Sequence, residues 1–248
     1  MQLQEKVAED LRRSTVVLCT APARSGGTYG GGVGTVVGDR YIVTTKHVVA
    51  MQQQLYIWHP EDELMMNFRP VRHWDVGENC LVEVDKVLPF PAYPICRKAV
   101  DQVMKPGATI LYPGGYEFYT MIEGYQLPLN VGTYNGPRGS NQYLGWGRLS
   151  HGTSGGGVVS LEDQVLVGII YGVVAPTSTE QNIEFRGVKN LASSLDNAGV
   201  TRPSGVVATT GGTLGEQMLP ETQNKYVRWG IMGLAGIGGL LIAKSLLE

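Results

Sequence analysis

The sequence contains the segment His151-Gly152-Thr153-Ser154-Gly155-Gly156-Gly157, followed by Val158 and Val159, and this segment is the most informative part of the chain. A serine between glycines is common by itself, because both residue types favour turns. A second signal makes this one specific: far upstream, an apolar strand that begins at Tyr41 ends in Thr44-Thr45-Lys46-His47-Val48. The sequence therefore carries a histidine at the end of a strand and, later, a serine in a tight glycine turn.

The two signals make chemical sense together. A serine hydroxyl becomes a useful nucleophile when an imidazole within hydrogen-bond reach removes its proton during attack on a carbonyl. His47 is the candidate base and Ser154 the candidate nucleophile. A glycine turn also lets backbone N–H groups converge on the oxygen that becomes negative in the tetrahedral intermediate. We assign these oxyanion-hole donors to Gly152 and Ser154.

From about Ser14 to about Leu195 the chain resembles the trypsin-like (chymotrypsin-fold) serine proteases. It is more similar to disulfide-free bacterial stress proteases and viral polyprotein-processing proteases than to secreted digestive enzymes. Four landmarks occur in the family's order: the T-x-x-H-V turn at Thr44–Val48, an opening strand at Pro106–Gly114, the G-x-S-G-G turn at Gly152–Gly156, and a cleft-edge strand at Leu166–Gly172. The resemblance implies an all-β fold of two six-stranded antiparallel β-barrels with the active site between them.

The third member of the catalytic triad is an acid, for which the sequence offers two candidates. The resemblance places an acid before a buried strand between base and nucleophile, in the segment Arg72 to Asp85. We rank Asp75 first, because Val76 follows it as the family pattern prefers, and Glu78 close behind as the alternative acid. A register shifted by one residue would put Asn79 there instead, which leaves a weakened enzyme or none.

The resemblance also indicates substrate contacts. The residue six before the nucleophile, Arg148, is expected near the floor of the primary pocket, where a buried guanidinium would bind a carboxylate and favour cleavage after Glu or Asp. Tyr171 and Gly172 end the strand that edges the substrate cleft.

Composition limits the other classes of function. The chain has 248 residues, 34 of them glycine, and a net charge of −2, which gives no basic footprint for nucleic acid. Its three cysteines show no paired spacing, which indicates a reducing compartment or one where the state of the thiols does not matter. No metal-ligand spacing is present, so we predict neither metal nor cofactor. His59 and His73 have no motif around them and are expected at the surface or at strand ends.

The chain is predicted to contain an N-terminal amphipathic helix (1–13), a first barrel (14–95), a second barrel (96–200), a flexible linker (201–226) and a C-terminal helix (227–248). First-barrel strands are predicted at Thr15–Cys19, Val33–Val37, Tyr41–Thr44, Leu55–Trp58 and Cys80–Val84. Second-barrel strands are predicted at Ala108–Tyr112, Phe118–Glu123, Leu127–Thr133, Gly157–Leu161, Val165–Tyr171 and Ile183–Gly187.

The C-terminal segment is apolar. Trp229 to Ala243 carries no charge, and with Lys244 snorkelling the apolar stretch reaches Leu247, long enough to cross a bilayer. We favour a membrane anchor, and a helix that lies on the membrane surface is the alternative. We therefore expect a membrane-associated protein whose protease domain faces the cytoplasm, with a polypeptide substrate that includes its own linker or polyprotein. The alternative is a catalytically inactive protease fold that serves as a membrane-tethered binding or scaffolding module.

Overall fold

The computed structural model describes residues 3–19, 31–49, 55–59, 64–114, 127–149, 152–174 and 181–199. The chain divides into two units, Met1–Val206 and Val207–Glu248. The second unit lies outside the described residues, and so do the predicted strand Phe118–Glu123, linker and C-terminal helix. No helix in the described part of the chain is long and apolar enough to span a membrane.

The chain begins with helix α1, Leu3–Ser14, as its apolar spacing predicts. The first sheet follows and has seven antiparallel strands in the order β5-β4-β1-β2-β3-β7-β6. Their bounds are β1 Thr15–Cys19, β2 Gly31–Gly38, β3 Tyr41–Thr45, β4 Leu55–His59, β5 Leu64–Phe68, β6 Pro70–Val76 and β7 Asn79–Val84. A single helical turn, α2 Lys46–Val49, continues directly from β3.

The prediction of two six-stranded barrels is wrong for this first sheet. Among the described residues, β5 and β6 form its two edges, although only Arg69 separates them along the chain. Pro70 has no N–H to donate, and Arg69 turns its amide to the Asp85 side chain and its carbonyl to the Asp85 amide. What would be one long strand is therefore broken in two, and the chain itself joins the two edges.

The second sheet is a closed six-stranded barrel in the order β10-β13-β12-β11-β8-β9, as predicted. Its strands are β8 Thr109–Pro113, β9 Leu129–Gly139, β10 Gln142–Gly147, β11 Gly157–Ser160, β12 Val165–Val174 and β13 Gln181–Gly187. Helix α3, Lys189–Asn197, follows β13 and packs through Leu191, Ala192 and Leu195. The sequence analysis did not predict β5, β6, β10 or α3.

Strands at the centre of the first sheet are buried on both faces. Ile42 and Val82 contribute to the core of the first sheet, whereas their neighbours Val43 and Leu81 join the core of the second barrel. This alternation follows from the period of two along a strand. The two sheets therefore share a seam, and β3 carries the candidate histidine to it.

Candidate active site

His47 lies in the single helical turn that ends β3. The flanking Val48 and Val49 are buried, whereas His47 is exposed, so the turn is anchored by its apolar residues and presents the imidazole outward. Thr45, two residues earlier, is buried, and its Oγ1 lies 3.4 Å from His47 Nε2. The imidazole therefore has a long hydrogen bond to a fixed hydroxyl of its own turn.

Ser154 lies in a turn whose conformation requires glycine at two neighbouring positions. Gly152 and Gly155 have φ of 85° and 87°, in the left-handed region. A Cβ on Gly155 would stand 2.2 Å from both Thr44 Oγ1 and the Val33 carbonyl oxygen. Thr153 is buried, and its carbonyl accepts the Gly156 amide at 3.0 Å. The glycine spacing recognised in the sequence thus has a steric cause.

The backbone amides of the turn divide into two groups. The Gly155 amide donates to the Ile170 carbonyl at 2.9 Å, and the Gly156 amide is bonded within the turn. In the described part of the chain, the amides of Gly152 and Ser154 have no protein acceptor. These are the two donors that the sequence assigns to an oxyanion hole.

The serine turn is docked on the sheet that carries His47. The Val33 amide of β2 donates to the Ser154 carbonyl at 2.9 Å. A Cβ on the adjacent Gly32 would meet the Val48 side chain at 2.5 Å and the Ser154 carbonyl oxygen at 2.6 Å. Gly32 therefore separates the histidine turn from the serine turn by little more than a backbone. No hydrogen bond joins the side chains of His47 and Ser154 in this structure.

The segment that contains the two candidate acids forms the β6–β7 hairpin. The pairing of this hairpin with its neighbours determines how each acid lies relative to His47. Thr44 pairs with Cys80, and the Lys46 amide donates to the Glu78 carbonyl at 2.6 Å, so Glu78 lies opposite the start of the histidine turn. Asp75 instead pairs with Lys46, its carboxylate 3.2 Å from the ammonium. Burial, together with a hydrogen bond to Asp75, raises the pKa of the Cys80 thiol. Among the described residues, neither carboxylate is bonded to His47.

Asn79 has a structural role. It is 1 % exposed, and its amide donates to the carbonyls of Arg186 and Gly187 at 3.4 and 3.0 Å. Asn79 therefore ties the first sheet to β13 of the second barrel, and this bonding accounts for its place in the sequence without a role in the triad.

The cleft edge carries an aromatic contact to the histidine. The Tyr171 ring is 6.2 Å from the His47 ring, centroid to centroid, with the ring planes at 71°. The Arg186 guanidinium lies over the same Tyr171 ring, 4.9 Å from its centroid. None of the described residues lies within 4 Å of where a Cβ on Gly172 would be, so they leave the space beside that residue open. The sequence predicts Tyr171 and Gly172 as substrate contacts, which stays a prediction, and it does not single out Arg186, which no motif marks.

The burial of two further residues bears on what the sequence predicts for them, and the place of Arg148 at the primary pocket stays a prediction. The pocket argument expects a buried guanidinium at Arg148, but Arg148 is exposed, and it is its carbonyl that is held, by the Tyr112 hydroxyl at 2.8 Å. His59 ends strand β4, which is one of the two placements predicted for it, and it is buried there, with its ring stacked on Phe90 and the centroids 4.4 Å apart. His151 lies outside the described residues. Within them, no group of His, Cys, Asp and Glu side chains could hold a metal ion.

A closed antiparallel barrel packs against a second antiparallel sheet, with a histidine turn on one and a glycine-bounded serine turn on the other, as the resemblance to the chymotrypsin fold implies. Among solved structures, the chain is similar to the Rv3671c protease of M. tuberculosis. The active form gives a TM-score of 0.58 at 19% identity and covers 82% of this chain and 88% of that one. An inactive form of the Rv3671c protease gives 0.56 at 16% identity and covers 80% and 95%.

These comparisons confirm at the level of the fold the resemblance found in the sequence. No protein-family model matches the chain, and no curated protein matches it.

Proposed function

We propose that the protein is a serine endopeptidase. The observation that carries this proposal is the docking of the serine turn on the sheet that holds His47, through the hydrogen bond from Val33 to Ser154. The unbonded amides of Gly152 and Ser154 and the protease fold of the structural neighbours support it.

In the proposed reaction, His47 removes the Ser154 hydroxyl proton as the oxygen attacks the substrate carbonyl. The amides of Gly152 and Ser154 stabilise the resulting oxyanion. His47 then protonates the leaving amine, and water hydrolyses the acyl-enzyme by the same steps in reverse order. Catalytic hydrogen bonds are often long without substrate and tighten in the complex, which is compatible with the present separation of His47 and Ser154.

Labelling with a fluorophosphonate tests this proposal directly. The wild-type protein should be labelled at Ser154, and both Ser154→Ala and His47→Ala should abolish the label. Ser193→Ala, which removes an exposed serine of α3, is the matched control and should label normally. Absence of label on folded wild-type protein would refute the proposal.

For the triad acid, we propose the β6–β7 hairpin, with Glu78 now favoured over Asp75. The Asp75 carboxylate already has Lys46 and Cys80 as partners, whereas the Glu78 side chain has none among the described residues. Comparing kcat for Glu78→Gln and Asp75→Asn separates the two. The true acid should cost about 10⁴-fold when it becomes an amide, and the other residue little.

We propose that the substrate is a polypeptide that runs along Tyr171 and Gly172. Gly172→Leu should fill the open space there and raise KM for peptides while leaving fluorophosphonate labelling unchanged.

Cleavage after Glu or Asp remains our proposal for specificity, with an exposed Arg148 as the attracting cation. Exposed charge pairs are weak, so Arg148→Glu should shift preference modestly. Faster cleavage after Lys or Phe than after Glu would reject the acidic preference.

Self-processing and a membrane anchor extend the proposal. Glu216-Gln217 and Glu221-Thr222 lie in the predicted linker and suit a glutamate-preferring protease. The intact mass of the wild-type protein should correspond to a chain cut at one of these sites, and that of Ser154→Ala to the full-length chain.

The apolar segment 227–248 supports the membrane anchor, and flotation of the protein with liposomes should be lost on truncation at Lys225.

One observation favours the inactive scaffold as a second candidate. His47 is bonded neither to Ser154 nor to a carboxylate in the described part of the chain. Failure of well-folded wild-type protein to label, combined with retained liposome flotation, would support the scaffold.

A further inference from the structure

Arg186 on β13 is a half-buried cation with an unusual environment. Its Nε is buried and has no hydrogen-bond partner, and no described carboxylate forms an ion pair with it. Two other arginines that contact the second barrel or α3 do have carboxylate partners, Arg138 with Glu184 and Arg97 with Asp196. A partly desolvated charge without a counter-ion is costly, so another interaction must hold it.

That interaction is with Tyr171. The Arg186 guanidinium lies over the aromatic ring, where the ring quadrupole attracts a cation. The same ring contacts the His47 imidazole. Tyr171 therefore connects a cation of the second barrel with the candidate base of the first sheet.

The position of Arg186 is fixed at both ends. Its backbone carbonyl accepts the buried Asn79 amide from the first sheet. At the other end, Nη1 lies 3.6 Å from where a Cβ on Gly77 would be, so the guanidinium rests against the hairpin that carries Asp75 and Glu78. The side chain thus crosses the seam, with Tyr171 beside it.

We propose that Arg186 is a positioning residue for His47 that acts through Tyr171; this inference rests on the proposed function. Within the part of the chain that the structure describes, the imidazole has only a 3.4 Å hydrogen bond to Thr45, which restrains its orientation weakly. A Tyr171 ring held in place by Arg186 restricts the imidazole to orientations that face Ser154. Such ordering raises the rate of proton transfer without touching the substrate.

A double-mutant cycle tests this inference, with the second-order rate of fluorophosphonate labelling of Ser154 as the readout, because it needs no knowledge of the substrate. Arg186→Met should slow labelling about threefold to thirtyfold, the range of a partly desolvated cation–π contact. The same substitution in a Tyr171→Leu background should have little further effect, because the ring through which Arg186 acts is gone. Arg186→Lys, which keeps a cation over the ring, should recover most of the rate.

The matched control is Arg72→Met. The Arg72 guanidinium also lies over an aromatic ring, 5.2 Å from the centroid of Trp74, but on exposed β6. Its loss should leave the labelling rate unchanged. If Arg186→Met proves unfolded by circular dichroism, Arg186→Gln and Arg186→Lys replace it in the comparison.

Two outcomes would overturn the inference and can be told apart. If the wild-type protein labels normally, three results would overturn the positioning role alone. These are unchanged labelling rates in the Arg186 variants, equal losses for Arg186→Lys and the uncharged replacements, and additive effects of the two substitutions in the cycle. No labelling of folded wild-type protein would overturn it together with the proposed function.

Discussion

At the scale of single residues, Gly155 is the position where the fold most strictly requires one residue type. Its positive φ and the contacts that a Cβ would make with Thr44 and Val33 exclude any other residue without movement of the backbone. The serine turn is held against the first sheet at this point. A methyl group there would therefore act on both the stability of the fold and the position of Ser154.

We expect Gly155→Ala to lower the free energy of unfolding by about 1–3 kcal/mol or more, the cost of a strained backbone conformation, and to abolish labelling of Ser154. Gly172→Ala is the control, because its Cβ would meet no atom of the described residues within 4 Å, and it should change stability by less than about 0.5 kcal/mol. Urea denaturation measures both. Equal losses in the two variants would contradict this account of the turn.

The buried thiols give a pH dependence. Burial raises the pKa of Cys19 to about 12 from the usual 9.0. Between these values the folded chain keeps a proton that the unfolded chain releases, so the stabilising effect is complete below about pH 9 and is lost as the pH rises towards 12.

We predict that Cys19→Ala, measured by urea denaturation, destabilises the protein at pH 8. The difference from wild type should shrink by about 2 kcal/mol at pH 10.5, because the variant has no thiol to deprotonate. A difference that stays constant from pH 8 to pH 10.5 would show that the folded-state pKa of Cys19 is near its usual value.

At the scale of elements, the strands with strong apolar runs were predictable, and those with mixed sequence were not. β1 and β3 were found within a residue because they are buried along their length. β6 and β10 were missed because exposed Val71 and His73 and the two glycines of β10 disguise the strand pattern. The single-residue break at Arg69 depends on bonding to Asp85, which no local signal reveals.

The candidate site follows the same division. His47 and Ser154 were identified because turns that need glycine or a strand end leave a mark in the sequence. The acid was ambiguous because its assignment depends on hairpin register, which the sequence leaves open between Asp75 and Glu78. Arg186 was missed because its partners, Tyr171 and Gly77, come from distant parts of the chain.

The Asn79 amide is the element-scale link between β7 and β13. Asn79→Ala should remove two hydrogen bonds, at about 0.5–1.5 kcal/mol each, and so lower the free energy of unfolding by about 1–3 kcal/mol, although the Gly187 carbonyl keeps the Asn141 amide as a partner. Asn130→Ala removes a single hydrogen bond, to the Arg148 carbonyl, which is more exposed to solvent, and should lower the free energy of unfolding by less. Urea denaturation compares them. A larger loss of unfolding free energy for Asn130→Ala than for Asn79→Ala would contradict the proposed contribution of the Asn79 link to stability.

At the scale of the folded unit Met1–Val206, helix α1 joins the two sheets. It packs near both β2 of the first sheet and β8 of the second barrel. Val7 and Leu11 lie in the same core as Ile110, Tyr112 and Leu81. The helix therefore closes a core to which both sheets contribute, so the sheets are expected to unfold together.

Two leucines of this helix provide a matched pair, since Leu11 is fully buried and Leu3 is 50% exposed. Leu11→Ala should lower the free energy of unfolding by about 2–5 kcal/mol, the cost of a cavity in a core that relaxes only partly. Leu3→Ala should change it by less than about 0.5 kcal/mol. Because Leu11 contacts a core shared by both sheets, the variant should still unfold in one transition at a lower urea concentration, seen at the same midpoint by fluorescence and by far-ultraviolet circular dichroism. Separate transitions for the two probes would show instead that the sheets unfold independently and that α1 stabilises only one of them.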